Sequence, residues 1–140
     1  MEIEARQMFR SNGLIDDLVV YATRAEYLLL AESVGNAVKC QSRVSLPCAS
    51  GISIEIYCDD TADELFTSLQ NRANEYSSME EWNSRDILRV YGSDIVLSSL
   101  QAFFIELAER GEGYSYISEF SPEYRYSRYS PEWRLCIEIT

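Results

Sequence analysis

The sequence predicts an α+β fold in which a mainly antiparallel sheet packs against two or three helices. Apolar residues alternate along several short segments and recur at three- and four-residue spacing along others, and the two kinds of segment follow one another. With 46% apolar residues, the 140-residue chain can bury one hydrophobic core without disulfide bonds or a structural metal ion. We therefore expect a single domain spanning residues 1–140.

The strand predictions depend on period-two alternation. In residues 52–57 three isoleucines share one face, and in residues 133–139 the large apolar residues occupy every second position. Residues 86–91, 114–120 and 2–8 show the same alternation less clearly. All five segments are predicted to form strands.

The clearest helix is predicted between Ser93, which offers an N-cap oxygen, and Gly111 or Gly113, which end it. Six apolar residues form its buried stripe: Val96, Leu97, Leu100, Phe103, Phe104 and Leu107. A further helix is predicted over residues 61–76, because Thr61 and Glu64 match a capping box that precedes apolar residues at helical spacing.

The first helix is expected to begin near Gly13 and to continue through Ala22. Residues 27–31 fit either a continuation of this helix or a strand, and we favour the strand. Residues 3–56 and 87–139 then share the order strand, Gly, helix, strand, strand. These two stretches lie in possible repeat halves, residues 1–76 and 86–140, with a loop at residues 77–85 between them. Two βαββ units forming one antiparallel sheet fit this pattern, and an unrepeated α+β domain is the alternative.

Negative charge is concentrated in the middle of the chain. The sequence has 23 acidic residues, 12 basic residues and no histidine, which gives a formal net charge of -11. Residues 51–110 hold 12 of the acids against 4 bases. A field of that sign repels nucleic acid and anionic membranes and attracts basic partners. The alternative explanation is that the negative charge only keeps the protein soluble.

An acidic cluster follows the strand predicted over residues 52–57. In the first turn of a helix, two of its four carboxylates would complement the helix dipole. The other two would repel their neighbours unless a cation or a basic partner neutralised them, so we interpret the cluster as a contact surface. The four acids of the cluster are Asp59, Asp60, Asp63 and Glu64. Together with Glu80 and Glu81 in the loop predicted at residues 77–85, they are the candidate partner-binding acids.

Tyrosine and arginine residues gather near the end of the chain. Both residue types dominate binding hot spots because they combine a large contact area with a polar group. Tyr114, Tyr116 and Trp133 fit the core of a hairpin as well as an exposed face. Between Pro122 and Pro131 we expect exposure, and the candidate partner-binding residues are Tyr124, Arg125, Tyr126, Arg128 and Tyr129.

No catalytic, cofactor-binding or metal-binding residue is predicted. Without histidine the usual proton shuttle at physiological pH is missing, and no phosphate loop, nucleophile elbow or calcium loop occurs in the sequence. The four cysteines lack the spacing and the histidine partners of a zinc site. We expect Cys58 and Cys136 to be buried in a reducing cytoplasm, and a Cys40–Cys48 disulfide only in an exported protein.

No apolar run approaches the length of a membrane span, and the acidic start does not resemble a secretory signal. We therefore expect no membrane partner. Because the negative charge repels nucleic acid, we expect no nucleic-acid partner either.

In the C-terminal part, the run ILRVYGSDIVLSSLQAFFIELAER is followed by GYSYISEFSP and then by YSPEWRLCIEI. This pattern, which covers about residues 86–140, resembles a family of small bacterial immunity proteins of polymorphic toxin systems. The matching positions are Glu119, Phe120, Pro122, Ser130, Leu135 and Ile137. The family pattern has histidines where this chain has Ser115 and Ile117, so a function tied to those histidines does not carry over.

The resemblance implies a cytoplasmic protein that binds one cognate toxin and blocks it, and the charge distribution independently predicts a basic partner. We therefore expect an immunity protein, not an enzyme, that occludes the active or substrate-binding surface of a basic toxin domain. The alternative is an acidic chaperone for a secreted effector, a class of similar size and charge. An enzyme acting on a small cationic substrate would instead need a deep pocket lined by carboxylates.

Overall fold

The computed structural model describes residues 1–10, 13–48, 51–70 and 86–139, without the side chains of residues 6–10 and 13–16. These residues form two helices and eight strands, which confirms the α+β prediction. In chain order the elements are β1 (Glu2–Arg10), β2 (Gly13–Thr23), α1 (Arg24–Cys40), β3 (Val44–Pro47), β4 (Ser53–Cys58), β5 (Phe66–Gln70), β6 (Ile87–Gly92), α2 (Asp94–Arg110), β7 (Tyr114–Tyr116) and β8 (Glu132–Glu138).

The strands form two four-stranded sheets, ordered β1-β2-β8-β7 and β3-β4-β6-β5. In the first sheet β2 and β8 are parallel, with Leu18 opposite Trp133, and in the second β4 and β6 are parallel, with Ile54 opposite Leu88. The other four pairs within the described sheets are antiparallel. The pairing is therefore mainly antiparallel, as predicted. The strands nevertheless form two sheets where one was expected, because each helix leads from a strand of one sheet to a strand of the other.

Among the described residues, the element order ββαββ occurs twice. The first pair of strands of each repeat joins the sheet that contains the last pair of the other repeat, so β1 and β2 lie with β7 and β8, while β5 and β6 lie with β3 and β4. The boundary between the two repeats falls between β4 and β5, ahead of the loop predicted at residues 77–85, which lies outside the described residues.

Helix α2 begins and ends where the sequence predicts. The Ser93 side chain accepts a hydrogen bond from the N–H of Val96, and Gly111 adopts the left-handed conformation while its N–H donates to the carbonyl oxygen of Leu107. All six residues of the predicted stripe are buried. Helix α1 runs antiparallel to α2, since the Arg24 Nε donates to the carbonyl oxygen of Ala108 at 2.8 Å, whereas residue 41, just after α1, contacts residue 94 at the start of α2.

Three sequence predictions are wrong, and a fourth is only partly right. The helix predicted from Gly13 is strand β2, and residues 27–31, where we favoured a strand, belong to α1. The helix predicted over residues 61–76 is absent from its described part, residues 61–70, which contain a turn and β5. In β5, Thr67 and Leu69 are buried at period two and the strand pairs with β6, so the sheet determines the conformation. The strand predicted over residues 114–120 ends at Tyr116 and continues as a 3-10 turn, Ile117–Glu119.

One buried cluster connects both helices to both sheets. Trp133, Tyr27 and Phe104 are its largest fully buried side chains, and the rings of Tyr27 and Phe104 stack with centroids 6.4 Å apart. The buried alternation of residues 54 and 56 in β4 and of residues 133, 135 and 137 in β8 confirms both strong strand predictions. No helix in the described residues is long and apolar enough to cross a membrane.

Candidate protein-binding surface

The acidic cluster forms a turn between β4 and β5, here called the acidic loop (residues 59–64). The Asp59 carboxylate accepts hydrogen bonds from the Thr61 N–H at 3.0 Å and from the Thr61 hydroxyl at 2.6 Å, and these bonds lower its pKa. The loop is fixed to the end of β6, because the Asp59 N–H donates to the Gly92 carbonyl oxygen and the Ser93 N–H donates to the Ala62 carbonyl oxygen. Asp59 thus caps a turn that contains Thr61, and Thr61 caps no helix.

The carboxylates of the acidic loop are accessible. Asp60 and Asp63 are exposed, and Asp59 and Glu64 are half-buried. Within the described residues, none of the four forms an ion pair. Within the described residues, no salt bridge therefore offsets the expected repulsion among these four carboxylates. The other two predicted acids, Glu80 and Glu81, lie outside the described residues.

The structure brings the acidic loop against the Tyr- and Arg-rich segment, here called the aromatic loop (residues 121–131). The N–H of Leu65 donates to the Arg125 carbonyl oxygen at 2.9 Å, and the N–H of Ser127 donates to the Leu65 carbonyl oxygen at 2.9 Å. Next to them, the N–H of Thr67 donates to the Ser130 hydroxyl at 2.9 Å. The two predicted constellations consequently lie side by side.

Tyr126 attaches the aromatic loop to the core. Its hydroxyl donates to the Pro131 carbonyl oxygen and lies 2.5 Å from the Thr67 hydroxyl, which also accepts a hydrogen bond from the Trp133 indole N–H at 3.2 Å. Burial raises the pKa of Tyr126. The prediction that Tyr126 is exposed is therefore wrong, because the backbone pairing with Leu65 directs its ring inward.

Tyr129 and Arg128 form the exposed part of the aromatic loop. Tyr129 is 82% exposed, and the Arg128 guanidinium donates to its hydroxyl at 2.7 Å while lying 4.9 Å from the ring centroid. This hydrogen bond raises the pKa of Arg128, and the nearby charge of Glu64 adds to the effect. Arg125 is also exposed, and Tyr124 is half-buried against the core. Exposure is thus confirmed for Tyr129, and Tyr124 presents only part of its ring.

The remaining aromatic residues divide between core and surface. Trp133 is buried, whereas Tyr114 and Tyr116 on the edge strand β7 are 49% and 38% exposed. Their rings meet edge to face, and the Arg134 guanidinium lies 4.2 Å from the Tyr114 ring centroid. The hairpin-core interpretation holds for Trp133 and is wrong for the two tyrosines.

A shallow groove of about 440 Å³ separates α2 from the aromatic loop. Its lining consists of Asp94, Ile95, Ser98, Ser99, Ala102, Glu123 and Tyr124. Sequence reasoning missed the α2 side of this groove, since Asp94 and Ile95 read only as a helix start. The signal in the sequence was that Ile95 is apolar but lies off the apolar stripe of α2. In the structure its side chain is 60% exposed.

A thiol and two carboxylates meet beside the groove. The Cys58 thiol donates to Asp94 Oδ1 at 2.6 Å and to Asp60 Oδ1 at 3.5 Å, and Gln41 Nε2 donates to the same Asp94 oxygen at 3.1 Å. Desolvation, followed by these bonds to carboxylates, raises the pKa of Cys58 to about 12. Cys58, Asp60 and Asp94 are the one set of described residues that could hold a metal ion, with ligand atoms within 4.8 Å of one another. Coordination would require loss of the thiol proton.

The cysteines differ from expectation in their burial. All four are free; Cys40 is exposed, and Cys48, Cys58 and Cys136 are half-buried. The prediction of buried side chains at Cys58 and Cys136 is therefore wrong. No Cys40–Cys48 disulfide forms in this structure.

No protein-family model, curated protein or solved structure matches this chain. The proposed role consequently depends on the geometry and charge of the surface formed by the acidic loop, the aromatic loop and the groove.

Proposed function

We propose that this protein binds a basic partner protein through the acidic and aromatic loops, as an immunity protein that neutralises a cognate bacterial toxin domain. One observation supports this most strongly: the backbone hydrogen bonds of Leu65 place unpaired carboxylates beside the exposed Tyr129 and Arg128. Binding would cover the active or substrate-binding surface of the toxin, and the chain would act in the cytoplasm without catalysing a reaction.

The two loops supply different parts of the binding free energy. Carboxylates attract a basic protein over a distance and raise the association rate constant, an effect that salt screens. Exposed aromatic and arginine side chains instead supply contact area that slows dissociation. Asp60 and Asp63 would therefore act mainly on association, and Tyr129 mainly on dissociation.

The absence of enzymatic activity is part of the proposal. The chain has no histidine, and the Cys58 thiol stays protonated at neutral pH. The groove beside it is shallow, and its described lining includes two carboxylates, whereas an enzyme acting on a small cationic substrate needs an enclosed site.

We expect the gene next to the one for this protein to encode the toxin domain, and the experiment uses the product of that neighbouring gene. We expect co-expression to restore growth and the purified pair to form a complex. The double variant Asp60→Lys/Asp63→Lys should lower the association rate constant by about tenfold or more at low salt and abolish its salt dependence. Glu109→Lys/Glu112→Lys, which makes the same charge change at exposed positions near the end of α2, is the matched control.

Unchanged affinity and unchanged salt dependence in Asp60→Lys/Asp63→Lys would remove the acidic loop from the interface. If the partner is instead a secreted effector with a non-globular N-terminus, held by a stable dimer of this protein, the chaperone alternative replaces the immunity function.

A further inference from the structure

We propose that the groove between α2 and the aromatic loop receives an arginine side chain of the partner protein. This inference rests on the proposed function, because it assigns a particular contact to the same surface. It specifies the chemistry of the partner more narrowly than net charge does, since a planar guanidinium must enter between Asp94 and Glu123.

The groove has the shape for a long side chain. Its α2 wall presents small polar and apolar residues, Ser98, Ser99 and Ala102, which leave the volume of about 440 Å³ open. The exposed Ile95 offers apolar surface to the methylene stem of an incoming side chain. A single metal ion would fill only a small part of this volume.

The charge of the lining selects a cation. Asp94 on α2 and Glu123 on the aromatic loop contribute two carboxylates, and no described residue of the lining is basic. The Glu123 carboxylate has no hydrogen bond or ion pair with a described residue. The bonds from Cys58 and Gln41 both end on Asp94 Oδ1, so Oδ2 accepts none from the described part of the chain. Both acids can therefore accept hydrogen bonds from a ligand.

Arginine fits these features better than lysine does. A guanidinium presents several N–H donors in one plane and can reach two carboxylates at once, and its face stacks on aromatic rings. Tyr124, half-buried at the groove, offers part of a ring for that stacking. An ammonium group is a point charge that makes neither contact with the same geometry.

The test titrates the protein with N-acetyl-arginine methylamide while ¹H–¹⁵N NMR spectra are recorded. The lysine analogue and the uncharged citrulline analogue, which keeps the planar shape, are titrated in parallel. We expect saturable shifts at the amides of the α2 wall and of Tyr124 with the arginine compound, weaker binding of the lysine compound and no saturable shifts with citrulline.

Glu123→Gln keeps the size of the side chain and removes its charge, and we expect it to weaken arginine binding on the order of threefold. Ala102→Gln fills the groove from α2 and should weaken binding further. Glu109→Gln, an exposed position of α2 outside the lining, is the matched control. The NMR spectrum of each variant reports whether the fold is intact.

Equal binding of the citrulline or lysine analogue, shifts outside the groove, or unchanged binding in Glu123→Gln would overturn the inference. The titration does not involve the toxin, so its failure leaves the proposed function standing. Loss of the proposed function, shown by a neighbouring gene product that forms no complex with this protein and by growth that co-expression does not restore, would be detected separately.

Discussion

The main chain of Leu65 pairs with that of Arg125, whose carbonyl oxygen accepts the Leu65 N–H at 2.9 Å. This contact joins the acidic loop to the aromatic loop, and it involves no side chain of the proposed binding surface. Exposed residues on either loop can therefore be replaced without removing the bonds that position the loops. Binding and stability should respond separately to such substitutions.

Tyr129→Ala should weaken toxin binding by about 2 kcal/mol, because a large exposed aromatic side chain beside an arginine is a typical hot spot. The free energy of unfolding should change by less than about 0.5 kcal/mol, as expected for a surface position. Calorimetric titration and urea denaturation measure the two quantities. Tyr114→Ala, at an exposed tyrosine of β7 outside the proposed surface, should leave affinity unchanged. Equal losses in both variants would contradict a specific role for Tyr129.

Tyr126→Phe should instead destabilise the fold, by roughly 1–3 kcal/mol. The substitution removes the hydroxyl that bonds to Thr67 and to the Pro131 carbonyl oxygen and leaves these buried groups with one partner fewer. Tyr129→Phe removes a hydroxyl from a solvent-exposed ring and serves as the control. Urea denaturation of both variants provides the comparison. If they are equally stable, Tyr126 does not anchor the aromatic loop.

Local patterns predicted the elements whose signal has a single interpretation. Helix α2 has an N-cap serine, a left-handed C-cap glycine and an apolar stripe that fits no strand. Residues 65 and 69 are less informative, because a spacing of four is compatible with one face of a helix and also with one face of a strand. The same ambiguity affects Leu18 and Ala22 in β2. In both places pairing with strands distant in sequence decides the outcome.

The Thr-x-x-Glu motif occurs twice and caps only one helix. Thr23 and Glu26 form a reciprocal capping box at the start of α1, whereas Thr61 bonds back to Asp59. After Thr23, buried residues continue at helical spacing through Ala37, which gives the helix a face to pack. Apolar residues at helical spacing also follow Thr61, so neither the motif nor the local pattern distinguishes the two sites; after Thr61 the pairing of β5 with β6 decides the conformation.

The site was predicted in its residue types but not in its arrangement. Composition identified the acids of residues 59–64 and the exposed Tyr129. The contact of Cys58 with Asp94 follows from the parallel pairing of β4 with β6, which places Cys58 opposite Gly92. Local spacing contains no information about that pairing, so both the groove and its carboxylates were missed.

Cys58 should react slowly with alkylating reagents. Its pKa of about 12 means that a very small fraction is thiolate at pH 8, and the thiolate is the nucleophile. We expect iodoacetamide to modify the exposed Cys40 on the order of 100-fold faster, as measured by mass spectrometry of the peptides. Asp94→Asn removes the negative charge that lies beside the Cys58 thiol. The substitution should therefore lower the pKa of Cys58 and accelerate its alkylation. Asp63→Asn is the control, and an equal rate at Cys58 and Cys40 would contradict the assigned hydrogen bonds.

Gly92→Ala and Gly35→Ala should have opposite effects on stability. A Cβ at Gly92 would lie 2.8 Å from Val96 Cγ1 and 3.3 Å from the Glu64 carbonyl oxygen, so a stiff β-branched side chain or the acidic loop must move. We expect a loss of about 1–3 kcal/mol in the free energy of unfolding. A Cβ at Gly35 would meet only the end of the Gln101 side chain, which can rotate away, and alanine favours the helix by up to about 1 kcal/mol. Urea denaturation of both variants tests the pair.

Gly92→Ala should also weaken toxin binding, because the Gly92 carbonyl oxygen accepts the Asp59 N–H and so holds the acidic loop. A Gly92→Ala protein that is stable and binds the toxin fully would show that the loop does not depend on this close approach.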